Sequence, residues 1–533
     1  MSRLFANTLA LAGLIWRRDR IQIPIWVVSI AFWSAVLAAM LPSLYPPGPE
    51  REIIAQTFAN PALISMLGPG YGLDNYHMGA IMAHQMLLFT AVIVAVMNII
   101  LILRHTRRDE EQGRIEVVRS LPVGRLANAA SAVLVLVLTN LILGAAVAVP
   151  LALLGLEGMD WQGSLLYGAV LAATGIFFAA ATLFFAQLTE TSRTASAYAF
   201  AFLGLSFLLR AIGDISSEPL SVISPLGLVL RAQVYVNNYW WPVVLVLVAA
   251  GAPILVAFRL NTTRDLEAGI IPAKPGRRYA SRLLQSPLGL VLRLEKTVVT
   301  CWAVGMFVMG ASYGSIFGDV ETFAQTSDLY KQILPSVEGF SLTDQFLAML
   351  LAILSMIAAV PALQIILRLR GEERANRVEH LLAGAVSRNH LMAAFLVVAV
   401  AAAAVMQALS VVGLWLAAAA VVSDPFPLRE TLAAALVYVP LIWILIGLAA
   451  ALIGYFPQHT NLVWIYLGAS LFTTYFGSLL RLPEWTKKLT PWGHIPSIPL
   501  EEVSAGTVFL SAITAAILMV IGFTGYSKRD IIR

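Results

Sequence analysis

The stretch RHTRRDEEQGRIEVVRSLPVGR, residues 104–125, decides how the rest of the chain is read. It carries six arginines and four acids and sits between two long apolar runs, 79–103 and 127–155. A second stretch, LRGEERANRVEHLLAGAVSR at 369–388, lies in the same way between runs 345–367 and 391–422. A shift of 263 positions carries Arg107, Glu110, Arg114, Ile115, Glu116, Val123 and Arg125 onto Arg370, Glu373, Arg377, Val378, Glu379, Val386 and Arg388. Seven coincidences at partly helical spacing point to one short amphipathic helix used twice, once in each half of an internally duplicated chain.

The surroundings of the two copies give the fold class. Of 533 residues, 59% are hydrophobic and 12% charged, where a soluble domain carries ~25% charged residues. Apolar runs of 18 residues or more recur along the whole length, each long enough to cross a bilayer as a helix. Only helices and closed barrels satisfy their own backbone in lipid, and runs of this length fit helices. The expected architecture is all-α and polytopic. Six spans are expected at 22–41, 79–103, 127–155, 164–187, 196–212 and 240–259, and six more at 298–316, 345–367, 391–422, 431–456, 462–480 and 504–525. Ahead of them, residues 1–20 have no small-residue cleavage site and read as an amphipathic elbow helix on the membrane surface.

Twenty-seven of the 35 Lys and Arg fall on one side of this arrangement. The positive-inside rule then places both termini and both charged helices in the cytosol. It also accounts for the net charge of +5 without nucleic acid. Other features repeat. Arg17-Arg18-Asp19-Arg20 parallels Arg293-Leu294-Glu295-Lys296, Leu208-Leu209-Arg210 parallels Leu479-Leu480-Arg481, and Thr263-Arg264-Asp265 parallels Lys528-Arg529-Asp530. The organisation expected is a first six-helix half at 1–260, a cytosolic linker at 261–289 and a second half at 290–533.

The chain contains no G-x-x-x-x-G-K-[ST] phosphate loop, no H-E-x-x-H and no serine nucleophile elbow. Its one cysteine, Cys301, lies in an apolar run and reads as a small packed side chain. No catalytic role, metal site or cofactor is expected in this chain. Ionisable groups inside membrane spans mark coupled-ion pathways, and the spans are nearly free of them. His84, Gln85 and Asn98 on the second span and Gln364 near the inner end of the eighth are the polar exceptions, with interhelical hydrogen bonding or an interfacial position as their ordinary explanation. Arg210 and Arg481 read as interfacial, snorkelling residues around an outer vestibule. Energy for transport would then enter from outside the membrane, through the duplicated helix. A twelve-span carrier driven by an ion gradient and a non-transporting resistance or sensor subunit are the alternatives.

The pattern E-E-x-G-R-x-E-x(5)-P-V-x-R after the second span resembles the coupling-helix region of ABC exporter permeases of the type-two class. Asn60-Pro61-Ala62 with Gly68-Pro69, Ser224-Pro225-Leu226-Gly227, and Arg264-Asp265-Leu266 with Pro272 and Pro275-Gly276 make the chain similar to the fused, double-length polyketide-antibiotic (tetronasin-type) exporter permeases. The resemblance implies export of hydrophobic or amphipathic compounds across a bacterial or archaeal cytoplasmic membrane. It implies separately encoded ATPase subunits, two copies, that bind ATP and Mg and dock on the coupling helices. The docking residues would be Glu110, Glu111, Gly113, Arg114, Glu116 and Arg125, with Glu372, Glu373, Arg377, Glu379 and Arg388 in the second copy. It further implies a pathway lined by the second and fifth spans of each half, which carry His84, Gln85, Phe89, Met97, Asn98, Phe202, Met349, Met356, Phe472 and Tyr475. The second copy departs from the pattern at Asn376, in place of the helix glycine, and at Ala385, in place of the proline.

Overall fold

A computed structural model describes residues 2–46, 48–58, 61–266, 268–272, 278–319, 341–384, 386–422, 426–477, 483–496, 498, 500 and 504–529. The chain divides into two compact units, Met1–Gly276 and Arg277–Arg533. Among the described residues there are helices and no strands, and eleven helices are long and apolar enough to cross a membrane. Arg481, Ala385, most of the second outer segment and part of the expected linker lie outside the described residues.

In the first unit a surface helix α1 (Thr8–Arg18) precedes the spans α2 (Gln22–Leu44) and α3 (Met78–His105). The short helices α4 (Arg107–Glu111) and α5 (Arg114–Arg119) follow, then the spans α6 (Ala127–Leu153), α7 (Trp161–Leu188), α8 (Ser192–Ser216) and α9 (Trp241–Thr263). α1 buries Ala12 and Ile15 and leaves Leu9, Leu14 and Trp16 exposed, which is the amphipathic character read from its sequence. The break between α1 and α2 has a local cause. Pro24 sits on the third position of α2, has no N–H for the carbonyl of Arg20, and its ring crowds that carbonyl.

α7 is the centre of the unit, with 78% of its apolar window buried, and it packs against α3, α6 and α9. It approaches α6 closely because Gly144 faces Gly168, where an added Cβ would lie 2.2–2.7 Å from the opposing carbonyl oxygen. Small residues at such crossings let helix backbones pack directly in lipid. α2, α8 and α9 bury only 22–28% of theirs. They are apolar on all sides and so present apolar faces outward, as membrane helices do.

The second unit contains α10 (Pro287–Gly314), α11 (Leu342–Arg374), the short α12 (Arg377–Leu382), α13 (Arg388–Val421), α14 (Leu428–Leu436), α15 (Val439–Tyr455), α16 (Leu462–Phe476) and α17 (Ala505–Lys528). α10 packs on α13, α11 on α13 and α15, and α15 on α17. Three differences from the expected spans have physical reasons. α10 runs unbroken through the position equivalent to the α1–α2 corner, because Thr300 stands where the first half has Pro24. The span expected at 431–456 is divided into α14 and α15, with Pro440 at the start of α15 unable to continue the ladder. The span expected at 462–480 is described only as far as Phe476, a 15-residue helix. Cys301 is exposed rather than packed, on a helix that buries only 17% of its apolar window.

Candidate functional site: a duplicated ion-pair clasp

Each charged loop is built around one buried glutamate. In the first unit Glu110 is 6% exposed. Arg264, just past the end of α9, grips it with both terminal nitrogens at 2.7 Å. Arg107 bonds the same carboxylate at 3.1 Å and donates from Nε to the carbonyl of Glu190, between α7 and α8, at 2.9 Å. Arg125, just ahead of α6, donates to the carbonyls of Asn261 and Arg264 at 3.2 and 2.7 Å. One carboxylate and three arginines thus tie the loop to the ends of α7 and α9 of the same unit.

The second unit repeats this arrangement. Glu373, 4% exposed, receives Arg529 at 2.6 and 2.7 Å and Arg370 at 3.1 Å. Arg370 Nε donates to the carbonyl of Pro457, and Arg388 to the carbonyl of Arg529 at 2.6 Å. A second layer is also duplicated. Asp109 is bonded by Arg114 and Arg18, and Glu372 by Arg377 and Arg368. Buried Asp19 pairs with His105 and with Arg104, where buried Glu295 pairs with Arg368. Burial pushes the Asp19 carboxyl up. The hydrogen bond and charge of His105, with Arg104 and Arg18, outweigh this and hold it below its ordinary value.

A left-handed residue turns each loop. Gly113 has φ +69°, and Asn376 has φ +56° at the equivalent place. Asparagine is one of the few residues that visit this region readily, so the departure from glycine keeps the same backbone. Beyond the turn, Ile115 and Val378 are buried and anchor α5 and α12 to their own units.

The expected docking residues fall into two groups. Glu110 and Glu373 are buried and bonded to arginines of their own units. Arg125 and Arg388 spend donors on carbonyls of their own unit. Glu111 is exposed, but its carboxylate accepts from the backbone and hydroxyl of Ser192 at the start of α8. Glu372 is engaged in the second layer. In the first unit Arg114 and Glu116 are exposed, with Val117 at 68% and Leu121 at 57% exposure near them in sequence; in the second unit Arg377 and Glu379 are exposed. Gly113 lies open at the turn, where an added Cβ would meet no atom within 4 Å.

The partners Arg264, Arg529, Arg107, Arg370, Asp19 and Glu295 were not singled out from sequence as site residues. All six stand at positions that repeat between halves, and that repetition was the available signal.

The expected pathway residues are dispersed. Met97, Asn98 and Met356 are buried within their own units. Asn98 and Asn140 exchange two amide hydrogen bonds, at 2.9 and 2.7 Å, between α3 and α6. His84 is held by Tyr76 and by the carbonyl of Gly68, and Gln85 by Tyr45. Phe202 stacks on Phe177, and Met349 packs against the second unit's core. Phe89 and Phe472 are exposed at 37% and 40%; Tyr475 lies on α16. Arg210 does not snorkel. It is fully buried, donates to the carbonyls of Ile64, Ser65 and Met66, and lies near Asp214, which accepts from Ser221 at 2.5 Å. Asp214 is therefore a buried acid in a span. It escaped the sequence reading because α8 runs four residues past the expected end of that span.

The model of the family described as "Multidrug efflux system permease Rv1217c, C-terminal domain" matches residues 10–259 and again residues 284–527. The chain is also 36% identical to the multidrug efflux system permease protein Rv1217c of Mycobacterium tuberculosis (strain ATCC 25618 / H37Rv), over 99% of this chain and 96% of that protein.

Proposed function

We propose, from the premise that the chain belongs to the multidrug efflux system permease family, that it is the membrane subunit of an ATP-driven exporter. The observation that carries this reading is the duplicated clasp. Each half holds a charged loop whose inner side is bonded to two spans of that half and whose outer side is exposed. A rigid attachment inward with an exposed surface outward is what a mechanical input needs, since a force applied to α5 or α12 reaches α9 or α17 through buried ion pairs. The sequence supplies no nucleotide-binding motif, so the motor is a separate cytosolic ATPase, one copy under each loop, which binds ATP and Mg itself. The charge asymmetry of the loops supports a cytosolic position for both clasps and both termini, and the membrane proposed is a bacterial or archaeal cytoplasmic membrane.

The substrates proposed are hydrophobic or amphipathic small molecules of the antibiotic type, moved outward. Among the residues expected on the pathway, Phe89 and Phe472 have the exposure to meet such a molecule. An aromatic side chain supplies apolar contact without demanding one ligand geometry. A carrier driven by an ion gradient would need a titratable group free to exchange protons within a span. Asp214 and Glu295 are buried acids on such helices, and Arg210 with Ser221 engages the first and Arg368 the second.

The test is co-purification of the chain with its candidate ATPase, followed by export assays in vesicles. The pair Val117→Glu with Leu121→Glu should release the ATPase and abolish export while leaving the chain folded. Export by the purified chain alone, driven by a proton gradient, would overturn the reading.

A further inference from the structure

We propose that the cleft between α5, the start of α6 and the end of α9 is a binding site for a phosphate-bearing anion, held chiefly by Arg119 and Arg125. Residues of α5, α6, α7 and α9 line it, and it is a shallow cleft with a wide mouth, whose enclosed part has room for about one water-sized group. Its wall carries Arg119, Arg125, Arg264, Asn128, Gln187 and Asn261. The charge there is unbalanced. Among the described residues that line the cleft, Arg119, Arg125 and Arg264 stand with one carboxylate, Glu110, which Arg264 already engages. Glu111, the residue after Glu110, is turned to Ser192.

Arg119 is half-buried and makes no hydrogen bond or ion pair with any described residue. Its guanidinium is pushed below its ordinary pKa by burial and by the charges of Arg125 and Arg264. A cation in that position is stabilised by an anion with several acceptor oxygens, and guanidinium groups match phosphate geometry. Asn261 Oδ1, buried at the wall, also lacks a hydrogen-bond partner among the described residues. A hydroxyl on the ligand, from a glycerol headgroup or a protonated phosphate, can donate to it.

The second unit shows that the clasp itself does not need this cleft. There, Leu382 stands at the position of Arg119, Leu391 at that of Asn128 and Tyr526 at that of Asn261. Leu391 and Tyr526 are each 1% exposed. The same clasp is present with two leucines and a tyrosine where the first unit has an arginine and two asparagines. The basic cleft is an addition to one half, and it stands whether or not a motor docks on the loops. A lipid headgroup from the adjoining leaflet and free phosphate share the required chemistry; basic pockets between membrane helices bind anionic headgroups.

The experiment uses the full chain in phosphatidylcholine nanodiscs. Phosphatidylglycerol is titrated in and retained lipid is counted by native mass spectrometry. Inorganic phosphate is titrated separately and thermal stability is followed. The expected result is saturable binding of at least one of them, weakened about tenfold by Arg119→Leu and much less by Arg119→Lys. Arg193→Leu, which removes an exposed arginine elsewhere, should leave it unchanged. Binding of phosphatidylglycerol without phosphate identifies the lipid as the source, and binding of phosphate alone identifies the free anion. Equal loss in Arg119→Leu and Arg193→Leu would reduce the effect to general surface charge and overturn the proposal, as would no saturable binding of either probe.

Discussion

The two clasps share a skeleton and differ in its surroundings. Both have a buried glutamate gripped by the arginine that ends the sixth helix of the half, a second arginine reaching a loop carbonyl, and a left-handed residue at the turn. They differ where the first half pairs Asp19 with His105 and the second pairs Glu295 with Arg368. They differ again where the first half lines a cleft with Arg119, Asn128 and Asn261 and the second places Leu382, Leu391 and Tyr526. What survives duplication is the set of contacts that fix the loop to its spans. What diverges is the chemistry beside it, so the attachment is the common requirement and the cleft a local one.

The largest effect expected is from breaking that common skeleton. Glu110→Ala leaves two buried arginines uncompensated and should cost about 3–5 kcal/mol of stability, and Glu373→Ala, whose arginines are partly exposed, somewhat less. Thermal unfolding in detergent reads this. Glu110→Gln combined with Arg264→Gln should be clearly less destabilising than the sum of the two single changes, because contacting partners couple. Additive effects would mean that the pair is not one unit.

The Asn98–Asn140 exchange sharpens the comparison from another side, since the second half has Pro361 and Ala403 at those positions. Asn140→Leu should destabilise by about 1–2 kcal/mol by orphaning Asn98. The double change with Asn98→Leu should recover much of it. Recovery in a stability assay together with lost export would indicate that the pair has a role beyond packing.

The turn offers a smaller test. Gly113→Val should cost about 1–2 kcal/mol, because a β-branched residue at positive φ is strained. Gly113→Asn should stay within a few tenths, since the second half already uses Asn376 there. A severe effect of Gly113→Asn would show that the two turns are not equivalent.

The smallest effect concerns acid. The Asp19 carboxyl is held below its ordinary value, so the stability it contributes is fully present above the unfolded-state pKa of about 4. That contribution is lost as pH falls through the lower folded value. Wild type and Asp19→Asn should therefore differ in melting temperature at pH 7 and converge toward pH 3. A constant difference across that range would remove the ion pair as its cause.

Much of the fold was legible because lipid imposes a strong pattern. Spans such as α3, α6 and α7 announce themselves by length alone, and their ends came within a few residues. The division between α14 and α15 was less legible, because a single proline, Pro440, breaks the helix inside a continuous apolar run. The site was half legible. The charged loops were evident from their repeated residues, yet the direction in which each residue points was not. Glu110 and Glu116 look alike in sequence, and only one is buried.

By itself the sequence determined a helical membrane protein made of two similar halves, each with one charged loop, because hydrophobic length and internal repetition are properties of the chain read in order. The tertiary structure alone decided which charges are held inside and which are exposed. Glu110 and Arg264 are 154 residues apart, and only the packing of α3 and α9 around α7 brings them to 2.7 Å. Burial then turns that proximity into a strong bond, because an ion pair removed from water is screened far less than one at the surface.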